Sequence, residues 1–172
     1  MSKFLIVYYS RTGHTQKVAR AVARKFDGDL EQLHEFEHQG LWFGAFAALL
    51  KQKTRLKRTL YGPQDYDLVI LGTPVWAGSL PPAMRSYISE QSSNFLKAAF
   101  FCTEGGSGGR RVFRQMEKLC GKSPLATLEI TETELKSGAD SGKIEKFADT
   151  IGGFFKDLQF GRSRRSAEEV KS

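Results

Sequence analysis

The sequence predicts an α/β domain with a central parallel sheet and helices on both faces, in three layers. Short apolar runs alternate along the chain with helical patterns, which is typical of βαβ units and a parallel sheet. Most of these runs are apolar on both faces, as central parallel strands must be. Right-handed crossovers then distribute the helices over the two faces of the sheet. The length of 172 residues fits one domain with an adequate core.

Five strands are expected from the apolar, β-branched and aromatic runs. The run at 30–36 alternates apolar and polar residues, so it predicts an edge strand. The other four runs predict central strands. The sequence shows no internal repeat. The five predicted strands span residues 4–9, 30–36, 68–71, 98–102 and 125–130.

Five helices are expected between and after the strands, each with apolar residues at helical spacing. The helix that starts at Pro82 has a proline in its first turn, where the missing N–H is no loss. The predicted helices span residues 15–26, 41–58, 82–90, 110–120 and 143–158. Residues 1–160 then form the domain, and the polar, charged segment 161–172 is predicted to be a disordered tail.

The net charge of +7 is concentrated in two segments. The tail from Gly161 carries a net +2, and the rest of the chain outside the second segment is balanced. That second segment has five cations without an intervening acid: Lys51, Lys53, Arg55, Lys57 and Arg58. No nucleic-acid reading helix accompanies these runs, so nucleic-acid binding is not expected.

The remaining composition indicates a cytoplasmic location and no metal site. The chain enters its first strand at once, so no signal peptide is expected. The longest apolar stretch, 41–50, is too short to span a bilayer. Cys102 and Cys120 have no metal-ligand spacing and are expected to be core thiols. His34 and His38 are expected to be surface residues rather than zinc ligands.

The first candidate loop follows the first strand and opens the first helix. It is a hydroxyl-rich turn with one glycine, made of Ser10, Arg11, Thr12, Gly13, His14 and Thr15. A helix N-terminus offers unpaired N–H groups and a positive dipole end to an anion. The turn has neither the lysine of a triphosphate loop nor the glycines of a dinucleotide loop, so it suits a single terminal phosphate. The alternative is an ordinary turn in which Ser10 or Thr15 caps the helix.

The second and third candidate loops follow the third and fourth strands, at the same edge of the sheet, where α/β folds bind ligands. The second is stiffened by prolines and has an aromatic residue at its centre, Trp76, on which a planar ligand could stack. The alternative is that Trp76 fills the core or caps a neighbouring helix. The second loop contains Thr73, Pro74, Val75, Trp76, Ala77 and Gly78. The third offers unobstructed backbone groups to the polar edge of a heteroaromatic ring; the alternative is a flexible loop. It contains Thr103, Glu104, Gly105, Gly106, Ser107 and Gly108.

Together the three loops describe a ligand with one phosphate, a linker and a planar ring that has a hydrogen-bonding edge. FMN fits this description. Over residues 3–157 the chain resembles the flavodoxin-like FMN-binding family. The residues that carry the resemblance are Ser10, Thr12, Gly13 and Thr15 of the phosphate motif, the segment 72–76 and the segment 103–109. The resemblance implies a short-chain form with a five-stranded parallel sheet in the order 2-1-3-4-5 and FMN at the strand tips.

The net positive charge of this chain differs from the negative charge that is typical of flavodoxins. Arg11 and His14 beside the phosphate, with Arg110 and Arg111 after the third loop, favour the negative charge that reduction adds to a flavin. The hypothesis is that the second electron is added at a potential less negative than in acidic flavodoxins. Arg11 could equally be a solvated surface residue.

Three functions remain open from the sequence. One is an electron-transfer flavoprotein with a redox partner protein, for which the basic segments favour an acidic partner. Another is an FMN-dependent NAD(P)H reductase of quinones or similar small acceptors, with a homodimer providing space over the flavin. The last is a non-redox binding module. The 40–60 segment is expected to be a core helix, with a flavin lid, a dimer contact or a membrane-surface helix as alternatives.

Overall fold

A five-stranded parallel sheet forms the centre of the molecule in a computed structural model that describes residues 2–36 and 53–169. The strands are β1 (Phe4–Tyr8), β2 (Asp29–Gln32), β3 (Leu68–Pro74), β4 (Ala98–Glu104) and β5 (Thr127–Thr131). Their order is β2-β1-β3-β4-β5, and every neighbouring pair is parallel. This confirms the predicted fold class and strand order.

Helices cover both faces of the sheet. They are α1 (His14–Phe26), α2 (Pro82–Gln91), α3 (Gly109–Cys120), the short α4 (Glu132–Ser137) and α5 (Asp140–Glu169). Successive residues of β1 point to opposite faces: Leu5 packs in the cluster that includes α2 and α3, and Ile6 in the cluster that includes α1 and α5. The central strands are therefore buried on both faces, which is why their sequences lack alternation.

The second strand and the basic segment differ from the sequence prediction. Strand β2 ends at Gln32 rather than continuing to Phe36. Residues 41–52 of the helix predicted at 41–58 lie outside the described residues, and 53–58 are extended rather than helical. The reason is antiparallel backbone pairing: Phe36 N donates to Arg55 O at 3.1 Å and Lys57 N to His34 O at 2.8 Å.

The C-terminal part contains one more helix than predicted. Thr131 and Glu134 form a capping box that starts α4 directly after β5. Helix α5 begins at Asp140, ahead of the predicted start at 143, and continues to Glu169. Its backbone is therefore helical over most of the segment from 161 for which the sequence predicts disorder, because arginine, alanine and glutamate there are good helix formers.

Both cysteines are buried and unpaired, as expected for core thiols. Burial raises the pKa of Cys102, and it raises the pKa of Cys120 to about 11. Neither thiol is therefore a ready nucleophile. Among residues 2–36 and 53–169, no helix combines the length and apolarity needed to cross a bilayer.

Candidate functional site

The three candidate loops meet at the carboxyl-terminal edge of the sheet. Thr15 Oγ1 and Thr103 Oγ1 are hydrogen-bonded at 2.8 Å, which joins the first loop to the third. Val75 N donates to Thr103 O at 2.9 Å, which joins the second loop to the third. The topology places the ends of β1, β3 and β4 side by side, so residues far apart in sequence form one site.

The first loop presents a helix N-terminus that no side chain caps. Gly13 occupies the N-cap position with φ of 89°, a left-handed conformation that favours glycine. Ser10 Oγ accepts a hydrogen bond from Gly13 N at 3.1 Å, which closes the turn and leaves the Ser10 proton for another acceptor. Because the first intrahelical bond runs from Lys17 N to Gly13 O, the N–H groups of residues 14–16 have no helical partner. The first turn holds no acidic residue, so the arrangement suits an anion and does not fit the ordinary capped turn.

Arg11 and His14 of the first loop have different neighbours. The Arg11 guanidinium lies over the Trp76 ring, 4.9 Å from its centroid, so it reaches across to the second loop. His14 Nδ1 lies 3.6 Å from Glu132 Oε1 of α4. Arg11 therefore contributes positive charge on the cleft side, whereas His14 lies beside the Glu132 carboxyl group of α4.

The second loop is a tight turn that holds Trp76 half-buried beside the core. Trp76 and Ser79 exchange backbone hydrogen bonds at 3.1 and 2.8 Å around Ala77 and Gly78, which have φ of 48° and 67°. One edge of Trp76 contacts the Tyr9 ring at a centroid distance of 5.5 Å and an angle of 73°. The indole thus packs on the core cluster and also forms part of the cleft wall. Stacking of a planar ligand on it stays a prediction.

Gln115 and Arg85 fix the end of this turn. Gln115 Oε1 accepts from Ser79 Oγ and from Leu80 N, both at 3.2 Å. Arg85, buried to 6 % exposure, donates to Leu80 O at 3.0 Å and to Gln115 Oε1 at 3.2 Å. Sequence reasoning missed both residues, since a polar residue at one position of a helix carries no signal of the loop that it supports.

A cleft of about 320 Å³ lies between the first and second loops. This volume is at the lower end of the range for small-molecule sites. Every lining residue belongs to the predicted site: Arg11, Thr12, Thr15, Pro74, Val75, Trp76 and Ala77.

The third loop divides into an open part and a clamped part. Gly105 and Gly106 are exposed, and a Cβ added at either position would meet nothing within 4 Å. Gly108 has φ of 116°, and a Cβ there would lie 2.9 Å from Val75 Cγ1 and 3.1 Å from Gly78 Cα. The loop is therefore packed against the second loop at one end and open to a ligand along the rest.

Two predicted site residues turn their side chains away from the cleft. Thr73 is fully buried and donates to Pro74 O at 3.1 Å. Glu104 is buried, and its Oε2 accepts from Gly109 N at 2.7 Å, so the carboxylate caps α3. Only the backbone groups of Thr73 and Glu104 are therefore left to bind a ligand, although the sequence predicts both as cofactor-binding residues.

Comparison with known structures identifies the architecture. No family model matches the sequence. A flavoprotein from Lactobacillus acidophilus NCFM, solved in complex with FMN, is 19% identical with a TM-score of 0.65, over 80% of this chain and 98% of that one. Oxidised Flavodoxin 2 from Bacillus cereus is 20% identical with a TM-score of 0.58, over 88% and 99%. The fold is flavodoxin-like.

A third solved structure with this fold is the Trp repressor binding protein from Bacillus subtilis. It is 14% identical with a TM-score of 0.60, over 84% of this chain and 98% of that one. The present flavodoxin-like chain thus spans nearly the whole length of each of the three proteins. At these identities the likeness concerns the fold, and the chemistry must be argued from this chain's own site.

Glu104, at the start of the third loop, and Glu129 of the neighbouring strand β5 form a carboxyl pair in this flavodoxin-like fold. Glu129 of β5 is hydrogen-bonded to Glu104, and this bond is the main cause of the raised pKa of Glu129. Burial and the charge of Glu104 add to the rise, and Lys143 and Arg110 oppose it. Because the two carboxyl groups are in contact, Glu129 keeps its proton to a higher pH than an ordinary glutamate does. A glutamate between Leu128 and Ile130 of a predicted strand was the only sequence signal, and sequence reasoning missed it.

Glu129→Gln is expected to change how stability depends on pH. The pKa of Glu129 in the native protein lies above its ordinary value of 4.5, so the native state binds more protons than the unfolded chain above that pH. The protonated Glu129 carboxyl therefore contributes stability at low pH, and this contribution is lost as the pH rises through the pKa of Glu129 in the native protein. We expect the free energy of unfolding of the variant, measured with urea at pH 4.5, 6 and 8, to increase relative to that of the wild type as pH rises. Replacement of the exposed Glu90 by glutamine is the control. Parallel curves of stability against pH for Glu129→Gln and the wild type would refute the raised pKa of Glu129.

Proposed function

We propose that this chain binds FMN non-covalently at the carboxyl-terminal edge of its sheet and acts as a redox flavoprotein that transfers electrons. The observation that carries the proposal is the joining of three loops by the Thr15–Thr103 hydroxyl pair and the Val75–Thr103 hydrogen bond around one cleft. The Lactobacillus acidophilus flavoprotein, which shares the fold, was solved with FMN.

The donor set fits the phosphate end of FMN. The N-terminus of α1 supplies the backbone N–H groups of residues 14–16, and the hydroxyls of Ser10 and Thr12 flank them. One hydroxyl proton of the Thr15–Thr103 pair joins the two threonines, and the other is left for a further acceptor. Because the first turn lacks an acid, nothing in it repels a phosphate.

The other two loops fit the flavin ring. Trp76 and Val75 give the cleft an apolar wall, and the exposed backbone at Gly105 and Gly106 can hydrogen-bond to a polar ring edge. When bound, FMN supplies one- and two-electron chemistry, and the protein supplies position and electrostatics. Arg11, on the cleft side, stabilises negative charge that reduction brings, which favours a second-electron potential less negative than in acidic flavodoxins.

Electron transfer suits this lining better than reduction of a small substrate. The seven lining side chains offer two hydroxyls, a guanidinium, an indole and small apolar groups. These groups can bind and orient a cofactor and set its electrostatics, but none of them is a ready proton donor to a substrate at neutral pH. NAD(P)H-dependent reduction of quinones or similar acceptors is the outcome that the following experiment distinguishes.

Titration of the purified protein with FMN, followed by quenching of flavin fluorescence, tests the proposal. The wild type is expected to bind FMN in a one-to-one ratio. Thr15→Val keeps the buried side chain's shape but removes its hydroxyl, so we expect about tenfold weaker binding from the loss of a hydrogen bond near a charged group. Thr127→Val, at an exposed position on β5, is the control.

Two results would contradict parts of the proposal. A protein that does not bind FMN would leave only a non-redox binding module. Anaerobic NADPH that bleaches the bound flavin rapidly, without a partner protein, would replace the carrier by a reductase.

A further inference from the structure

The extended basic segment beside the cleft is held in place along its length. Thr54 and Ser86 of α2 exchange two hydrogen bonds: Thr54 N donates to Ser86 Oγ at 2.8 Å, and Ser86 Oγ to Thr54 O at 2.7 Å. Leu56 packs on the core and pairs with Glu35 in an antiparallel bridge. We name Phe36 and residues 53–60 the basic strip. These contacts hold its backbone without a partner, which lowers the entropy cost of binding.

The strip carries four exposed cations, and the only carboxylate among the described residues that is bonded to its backbone, that of the buried Glu31, accepts from Leu60 N at 2.7 Å. Thr54 and Leu56 face inward, whereas four cations are exposed: Lys53, Arg55, Lys57 and Arg58. Within residues 2–36 and 53–158, none of these four takes part in an ion pair. Since the rest of the chain is close to neutral apart from its C-terminal segment, the strip is a local positive field.

Exposed apolar groups lie among the cations. Phe36 is 51% exposed and Leu60 is 86% exposed. The Arg55 guanidinium lies 5.7 Å from the centroid of the Phe36 ring. Arginine and aromatic residues together are typical of the energetic centres of protein interfaces. An extended strand with alternating burial does not have the apolar face of a membrane-surface helix, so these features favour a protein partner over a lipid surface.

Two side chains connect the strip to the wall of the cleft. Tyr9 Oη donates to Glu35 Oε2 at 2.6 Å, and Glu35 is bridged to Leu56 of the strip. The same Tyr9 ring contacts Trp76, which lines the cleft. A protein that docks on the strip would therefore lie next to the proposed redox site.

We propose that the basic strip is the docking surface for an acidic redox protein that exchanges electrons with this site. The inference rests on the proposed function for its redox part, and the binding itself does not depend on FMN. Charge complementarity would steer the partner to the cleft and make association sensitive to salt.

Charge removal on the strip tests the proposal with an acidic [2Fe–2S] ferredoxin as the probe. The strip variant is K53Q/R55Q/K57Q/R58Q. The control variant is R20Q/R24Q/K146Q/K156Q, which removes the same four charges from exposed positions on α1 and α5. Binding of the full chain, with and without FMN, is measured by calorimetry at low and high salt. At low salt we expect the strip variant to bind about tenfold more weakly than the wild type and the control variant to stay within about threefold.

A redox measurement adds a second readout. Each reduced ferredoxin cluster gives up one electron, so two ferredoxins and one proton from solvent reduce one flavin to its singly anionic reduced form. The rate of flavin bleaching in the FMN-loaded strip variant is expected to fall by the same factor as its affinity, while FMN affinity stays unchanged.

The outcomes separate the two proposals. Equal ferredoxin affinity in the strip and control variants would overturn the docking surface. So would strip-dependent binding of phosphatidylserine vesicles or a single-stranded oligonucleotide that exceeds the binding of ferredoxin. Strip-dependent ferredoxin binding by a protein that does not take up FMN would contradict the proposed function and leave the docking surface standing.

Discussion

Replacing Gly72 by alanine is expected to lower the free energy of unfolding by about 3 kcal/mol, the upper end for overpacking a core. Gly72 of β3 pairs with Phe101 of β4, whose ring is fully buried. An added Cβ at Gly72 would lie 1.9 Å from Phe101 Cζ and within 2.5 Å of two other ring atoms. The ring cannot move away without displacing its neighbours, because interiors are close-packed.

Urea denaturation of the variant measures the effect. Gly105→Ala is the matched control, since that position is open and has no positive φ. A second variant, Gly72→Ala/Phe101→Leu, relieves the contact and is expected to lose less stability than the sum of its two single substitutions. Simple additivity of the two single effects would show that the Phe101 ring is not the obstacle.

Gly108→Ala is expected to weaken FMN binding at least about tenfold and to cost about 2 kcal/mol of stability. The residue has φ of 116°, where an L side chain is strained, and its Cβ would press on Val75 and on the backbone of Gly78. Backbone does not yield as a flexible side chain does. The substitution would therefore push the second and third loops apart and widen the space that a flavin must fill.

Gly106→Ala in the same loop is the control, because a Cβ there meets nothing within 4 Å. FMN titration and urea unfolding of both variants measure the two effects. Equal FMN affinity in Gly108→Ala and Gly106→Ala would contradict the role of the contact between the loops.

The sheet and the meeting of the three loops at one edge could be predicted because their signals are local. Each of the strands β1, β3 and β4 is a short run that is apolar on both faces, and each ends in a loop of unusual composition. Parallel topology alone then places the three loops together. The start of α1 could also be predicted from one turn of sequence, and no side chain caps it. The anion site at this turn stays a prediction.

The remaining features depend on contacts between distant segments. Residues 53–58 alternate between exposed and partly buried positions, but a run rich in charged residues also fits the end of a helix. Only the pairing with residues 34–36 decides between an extended segment and a helix. Glu129 acquires its role from Glu104, which lies on a different strand. Gln115 supports Leu80 of the second loop from another helix. No single segment encodes such partners, so sequence patterns could not reveal them.

The Thr15–Thr103 hydroxyl pair has a consequence for the order of assembly. The two residues are 88 positions apart, so the turn at the start of α1 and the strand that supports it belong to different halves of the chain. Closing so long a loop is slow relative to forming α1 or β1. A nascent chain that has made only its first strand and helix holds the turn without its support. The site is thus a property of the completed sheet and matures when β4 takes its place beside β3.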